Sequence, residues 1–185
     1  TARDAKRQFK NIKGIFFLGG GTSPLGLEST ILDLSGKNPV LLRPGVVSKD
    51  TLESVLGRKI ITPSSQNISS PGQMLRHYAP KGNLTVVQGA PEHRRRWIAK
   101  HVPWSPGTAI GRIGKPINSH ETFPLCGTEK DLERYGQRLY RFLHWCDEKK
   151  AKTIFLELPK KPHDLLPTLL NRLEKASRGK IVVLP

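Results

Sequence analysis

In the C-terminal half of the chain, short continuous runs of apolar residues alternate with stretches in which apolar residues recur every three or four positions. Four short apolar runs predict β-strands, at 84–87, 108–113, 153–158 and 181–184. Between them, apolar residues three or four apart predict amphipathic helices over 91–101, 129–146 and 165–176. Thr128 and Asp164 are the predicted N-caps of the second and third helices. The order β-α-β-α-β-α-β predicts a mainly parallel sheet with helices on both faces.

The pattern in the first part of the chain is shorter and less regular. Three strands are predicted there, at 14–18, 28–34 and 39–42. Ser48 is the predicted cap of a short helix that Gly57 ends. Three strands and one helix are too few to close a core, so this region is expected to need more sheet than the chain provides.

These patterns divide the chain into three regions. Residues 1–61 are the end of an α/β unit, and residues 62–82, rich in Ser, Pro, Asn and Gly, are a linker. Residues 83–185 form an α/β domain of ordinary size. Because the chain starts at Thr1 rather than at a methionine, we expect it to be a fragment whose natural N-terminus lies upstream.

The net charge of the chain bears on which partners it could bind. The net charge is +16, from 31 Lys and Arg against 15 Asp and Glu, which favours polyanionic partners such as nucleic acid. The basic residues are spread along the chain, so a solvated surface explains most of them. Arg94, Arg95 and Arg96 precede Trp97, a pattern of nucleic-acid surfaces, although on a helix the three fan apart and a solvated helix face is favoured.

No apolar run reaches the roughly 18–20 residues that cross a bilayer, so no membrane partner is expected. Cys126 and Cys146 have no zinc-site spacing and suit a reducing compartment, which predicts a cytoplasmic protein. Cys146 lies on the apolar stripe of its helix and is predicted to be core. The histidines show no metal-binding pair and no nucleophile elbow occurs, so we assign no metal ligand and no catalytic residue.

Three polar features could contact a ligand. Residues 19–30 (GGGTSPLGLEST) offer backbone N–H groups and hydroxyls suited to phosphate, although the stretch lacks the P-loop lysine and a plain glycine turn is favoured. Arg43 lies at a strand end. It is either a guanidinium that binds two phosphate oxygens at once or an ordinary surface arginine. His77 and Tyr78 lie in the linker and are either a loop anchor or part of a lid.

Four stretches together resemble one family. GLESTILDL, PVLLRPG, SPGQMLRHYAPK and HDLLPTLLNRLEKAS occur in the order of the two-domain threonylcarbamoyl-AMP synthases, and the resemblance runs from about Gly14 onward. It implies an α/β fold: an incomplete YrdC-like catalytic segment, a linker, and a small Rossmann-like domain with a parallel sheet.

The resemblance also implies a reaction and a set of site residues. The family joins L-threonine, bicarbonate and ATP, with Mg²⁺, into threonylcarbamoyl-adenylate and pyrophosphate for a tRNA modification. Ser29 and Thr30 match its nucleotide-site hydroxyls, and Arg43 matches its phosphate-contacting arginine. His77 and Tyr78 match the residues that close over threonine and adenylate.

In this family the KxR and SxN motifs that bind ATP and threonine lie in the N-terminal part of the catalytic domain, ahead of the stretches matched here, so we expect the chain alone to be inactive. Two alternatives stay open. One is a basic module that binds a partner or, weakly, tRNA, without sequence recognition of double-stranded RNA. The other is an inactive relative of the synthase.

Overall fold

A computed structural model of the chain describes residues 1–63, 79–115 and 121–185. It contains five helices and seven strands within those ranges. In chain order they are α1 (Ala2–Gln8), β1 (Ile31–Asp33), β2 (Val40–Arg43), α2 (Lys49–Leu56), β3 (Asn83–Gln88), α3 (Pro91–His101), β4 (Thr108–Ile113), β5 (Thr122–Cys126), α4 (Leu132–Glu148), β6 (Thr153–Leu158), α5 (Leu166–Ser177) and β7 (Ile181–Val183).

The predicted parallel sheet is confirmed. Its five strands lie in the order β5-β4-β6-β3-β7, and every neighbouring pair is parallel. We call this sheet with α3, α4 and α5 the sheet domain, and residues 1–63 the N-terminal segment. The order places β6 between β3 and β4, so α3 carries the chain past one strand position.

Helices cover both faces of the sheet, which explains why β3, β4 and β6 are buried at almost every position rather than at alternate ones. Val86 and Leu156 pack with α4 and α5 in the larger core cluster. Their neighbours in sequence, Val87 and Phe155, pack with Ile98 of α3 on the opposite face. Cys146 is fully buried in the larger cluster, as predicted.

Strand β5 was not predicted. It contains Pro124, which cannot donate a backbone hydrogen bond and normally argues against a strand. Among the described strands it lies at the edge of the sheet and pairs only with β4, so the missing donor is tolerated. The caps predicted for α4 and α5 are both wrong. Asp131 caps α4 rather than Thr128. Helix α5 begins after Leu165 without a side-chain cap, because Pro167 in its first turn already lacks an N–H to satisfy.

The N-terminal segment differs more from expectation. Residues 14–18 form no strand, and Phe16 and Leu18 are 98% and 97% exposed. A strand needs a partner for its backbone groups, and in the described residues β1 pairs only with β2. Strand β1 is also shorter than predicted, whereas α2 has the predicted Ser48 cap and ends at Gly57. Helix α1 was not predicted.

The described parts of the chain hold no helix that is long and apolar enough to cross a membrane.

Candidate functional site

Arg43 and Ser29 are held together at the end of the hairpin formed by β1 and β2. Arg43 Nε donates to the Ser29 carbonyl at 3.1 Å, and Nη2 donates to Ser29 Oγ at 3.2 Å. The pairing of Ile31 with Arg43 brings these side chains together from 14 residues apart. Because the Ser29 oxygen accepts in this bond, its own proton is available to donate to a ligand. The structure therefore joins two of the predicted site residues.

Thr30 has a different role in this structure. Its Oγ1 donates to the Val47 carbonyl at 2.8 Å and accepts from the Val47 N–H at 3.1 Å. These two bonds fasten the turn after Arg43 against the strand. Gly45 lies so close to this strand that an added Cβ would overlap the Thr30 nitrogen. Thr30 thus positions the loop, and its predicted contact with nucleotide stays a prediction.

A cavity of about 850 Å³ lies between this loop and α5, within the volume range of small-molecule sites. Arg43 and Lys49 line one side, and His163, Asn171 and Lys175 line the other. Burial lowers the pKa of Lys175, and the positive charge of Arg172 acts in the same direction. An anion bound in this cavity would reduce the repulsion between Lys175 and the neighbouring arginines and would favour the charged form of Lys175.

The hairpin site does not fit a metal ion. Its donors are a guanidinium and hydroxyl groups, which suit phosphate oxygens better than Mg²⁺. Within residues 1–63, 79–115 and 121–185 there is no group of three His, Cys, Asp or Glu that could hold a metal. His77 and Tyr78 lie outside the described residues.

A second set of charged residues is buried in the sheet domain. Arg112 Nη2 lies 3.4 Å from Glu157 Oε1, and the Ile113 N–H donates to Glu157 Oε2 at 2.8 Å. Burial raises the pKa of Glu157 despite the opposing charge of Arg112.

Arg94 belongs to this buried set rather than to a nucleic-acid surface. It is 2% exposed, pairs with Glu129 at 2.6 Å and donates to the Gly89 carbonyl. Its burial was missed, although its position four residues before Ile98 puts both on one face of α3.

The buried thiol of Cys126 is not a nucleophile at neutral pH. Burial raises its pKa to about 12, and the negative charge of Asp131 adds to the shift.

Comparisons with known proteins agree with the resemblance noted above. Residues 47–178 match the family model described as "Threonylcarbamoyl-AMP synthase, C-terminal domain". The chain is 31% identical over 172 residues to the threonylcarbamoyl-AMP synthase of Bacillus subtilis, an alignment covering 88% of this chain and 49% of that protein. It is 33% identical over 172 residues to the enzyme of the same name from Pyrococcus abyssi, with the same coverage.

Two solved structures are also similar. The crystal structure of P. abyssi Sua5 in complex with L-threonine matches with a TM-score of 0.72 and 30% identity, over 90% of this chain and 50% of that one. A variant of that protein, in which a histidine and the tyrosine after it are replaced by alanine, matches with a TM-score of 0.69 and 30% identity, over 89% of this chain and 49% of that one. The chain spans about half the length of these relatives.

Proposed function

The chain belongs to the threonylcarbamoyl-AMP synthase family, and on that basis we propose that it works in the synthesis of threonylcarbamoyl-AMP from L-threonine, bicarbonate and ATP. The observation that supports this most directly is the Arg43 guanidinium, held by two hydrogen bonds to Ser29. A planar cation fixed beside a hydroxyl suits the oxygens of a phosphate group. The product would supply the threonylcarbamoyl group for modification of tRNA.

The proposed reaction develops negative charge of the kind that Arg43 and the Ser29 hydroxyl can stabilise. The threonine amine and bicarbonate form a carbamate with loss of water. The carbamate then attacks the α-phosphorus of ATP, so that a new carbamate O–P bond forms and the bond to pyrophosphate breaks. Negative charge builds on the phosphoryl oxygens in the transition state. Arg43 and the Ser29 hydroxyl stabilise that charge without reorganising. ATP enters as its magnesium complex, and no residue of this chain is assigned to the metal.

His77 and Tyr78 are proposed as the lid of this site. They are consecutive in the sequence and fall in the stretch that matches the family model. In P. abyssi Sua5 a consecutive histidine and tyrosine were the residues replaced in the variant described above. A lid here would keep water from the carbamate and the adenylate. Replacing either residue by alanine is expected to lower turnover more than stability.

This chain is proposed to act as the C-terminal half of such an enzyme, with the KxR and SxN motifs supplied by sequence that precedes it. We expect the isolated chain to make no threonylcarbamoyl-AMP. Pyrophosphate release from ATP by the isolated chain, dependent on both threonine and bicarbonate, would contradict this. The sequence encoded upstream decides between an active synthase and an inactive relative, since only the former requires both motifs.

The decisive test is Arg43→Ala in the full-length protein, with Arg95→Ala on the exposed side of α3 as the matched control. Loss of one preorganised donor is expected to lower kcat/KM for ATP by roughly 10²–10³-fold. Arg43→Lys should recover only part of the activity, because lysine cannot form the two-pronged contact. Equal activity of Arg43→Ala and the control, measured as pyrophosphate release, would refute the role of Arg43.

A second candidate function is weak binding of tRNA. The net charge of +16 supports it, as do the exposed side chains of Arg95, Arg96 and Lys100 along α3. Filter binding across a salt series tests it, with Arg95→Glu/Arg96→Glu as the variant expected to weaken binding and flatten the salt dependence. Absence of affinity at low salt would exclude this candidate.

We also propose a cytoplasmic location. The observation that supports it is that Cys126 and Cys146 are free and buried, which suits a reducing compartment.

A further inference from the structure

Glu28 immediately precedes Ser29, and its carboxylate is held by the sheet domain. Oε1 accepts a hydrogen bond from the Tyr140 hydroxyl of α4 at 2.9 Å. Oε2 lies 3.0 Å from Arg172 Nε of α5, in the geometry of an ion pair rather than of an aligned hydrogen bond. Glu28 is only 19% exposed and Arg172 only 4%, so solvent screens this pair weakly.

A second contact holds the other side of the hairpin site. Thr168 Oγ1 donates to the Gly45 carbonyl at 2.6 Å, in a buried position. Thr168 and Arg172 are four residues apart on α5 and therefore lie on one face of the helix. Gly45 follows Arg43 by two residues, and the next residue, Val46, donates its N–H to the Glu28 carbonyl at 3.2 Å. The same face of α5 thus holds the chain beside Ser29 and beside Arg43.

Helix α4 supports the same stretch through its backbone. An added Cβ at Gly136 would lie 3.0 Å from the Leu27 side chain. At Gly26 an added Cβ would overlap the backbone of Gln137. Glycine on each side allows the segment before Glu28 to lie directly on the helix.

We infer that Arg172, Tyr140 and Thr168 are positioning residues of the synthase. By holding Glu28 and Gly45, they set the orientation of Ser29 and Arg43 towards the phosphates, although none of the three is assigned a contact with substrate. This inference rests on the function proposed above, and it gives the sheet domain a part in catalysis.

The placement of these contacts distinguishes positioning from simple attachment of the N-terminal segment. A contact at any point of that segment would attach it to the sheet domain. The ion pair between Arg7 and Glu148, at 2.7 Å, is one such contact. Those of α5 instead converge on residues within two positions of Ser29 and Arg43. Displacing a catalytic donor by about 1 Å can cost roughly 10²-fold in rate.

The test uses the full-length protein with Arg172→Met, and Arg134→Met on the exposed side of α4 as the matched control. For Arg172→Met we expect kcat/KM for ATP to fall at least about tenfold, with faster amide exchange at residues 28–47. Arg172→Lys should restore part of both, because the positive charge is kept. The control should match the wild type in both measurements.

A change in melting temperature without a change in kcat/KM or in exchange at residues 28–47 would overturn the inference. A double-mutant cycle with Glu28→Gln adds a second criterion, because the two substitutions should be strongly non-additive if Arg172 acts through Glu28. Additive effects would also overturn it. If the wild-type protein makes no threonylcarbamoyl-AMP, the proposed function fails, and the exchange data alone then decide whether Arg172 orders residues 28–47.

Discussion

Glu157 lies near the end of β6 and is almost completely buried beside Arg112. Its carboxylate accepts the Ile113 N–H, and its backbone carbonyl accepts the Tyr135 hydroxyl at 2.7 Å. Burial nevertheless dominates and raises the pKa of the carboxyl group. A buried acid whose partners do not fully offset desolvation makes the folded state sensitive to pH.

We predict that Glu157→Gln becomes progressively more favourable relative to the wild type as pH rises from about 4 to 7. The raised pKa means that the folded protein retains a proton that the unfolded chain has lost above its own pKa. Stability of the wild type therefore falls with rising pH through this window, and the glutamine variant lacks this term. Urea unfolding at several pH values measures the difference. A difference that moves in the opposite direction with pH would contradict the prediction.

The ends of helices and the positions of strands show which features can be predicted from neighbouring residues in the sequence and which cannot. In α2, Ser48 accepts from the Thr51 N–H at 3.1 Å, and Gly57 adopts the left-handed conformation that ends the helix. Both were predicted because capping depends on neighbours in sequence. Asp164 failed as a cap because neither N–H that it would accept is available: the Leu166 N–H donates to the His163 carbonyl at 2.9 Å, and Pro167 has none. Strand β5 escaped prediction because Pro124 is acceptable only at a sheet edge.

Ser48→Ala is predicted to destabilise α2 by about 1 kcal/mol, because the Thr51 N–H loses its partner. Ser54→Ala, in the middle of the same helix and exposed, is the matched control and should be neutral or slightly stabilising. Amide exchange within α2 measures both. Equal effects of the two substitutions would rule out the capping role.

The N-terminal segment buries little apolar surface, and its Leu27 and Val46 pack against the larger core cluster of the sheet domain. Among the described residues of 1–63, the buried apolar side chains are those of Pro39, Leu41 and Ile60. The sheet domain contains both core clusters, one on each face of the sheet. In the described residues the segment thus has little apolar core of its own, and the two parts should differ in local stability.

Limited proteolysis of this chain with trypsin is predicted to remove residues 1–63 before it cleaves within β3 to β7. Lysine and arginine occur in both parts, so the order of cleavage reports local opening rather than the supply of sites. Mass spectrometry of the products identifies the resistant fragment. Simultaneous loss of both parts would show that they unfold as one unit.

The sequence by itself determined the parallel sheet domain, the buried stripe of α4, the ends of α2 and the family resemblance. These follow from periodicity, capping and short motifs, which depend on residues close together in the chain. Only the tertiary structure decided the strand order and the burial of Arg94. It also decided that Tyr140 donates a hydrogen bond to Glu28 and that Arg172 forms an ion pair with it. Glu28 and Tyr140 are 112 residues apart, and no local pattern encodes which distant side chains meet when the apolar faces are buried.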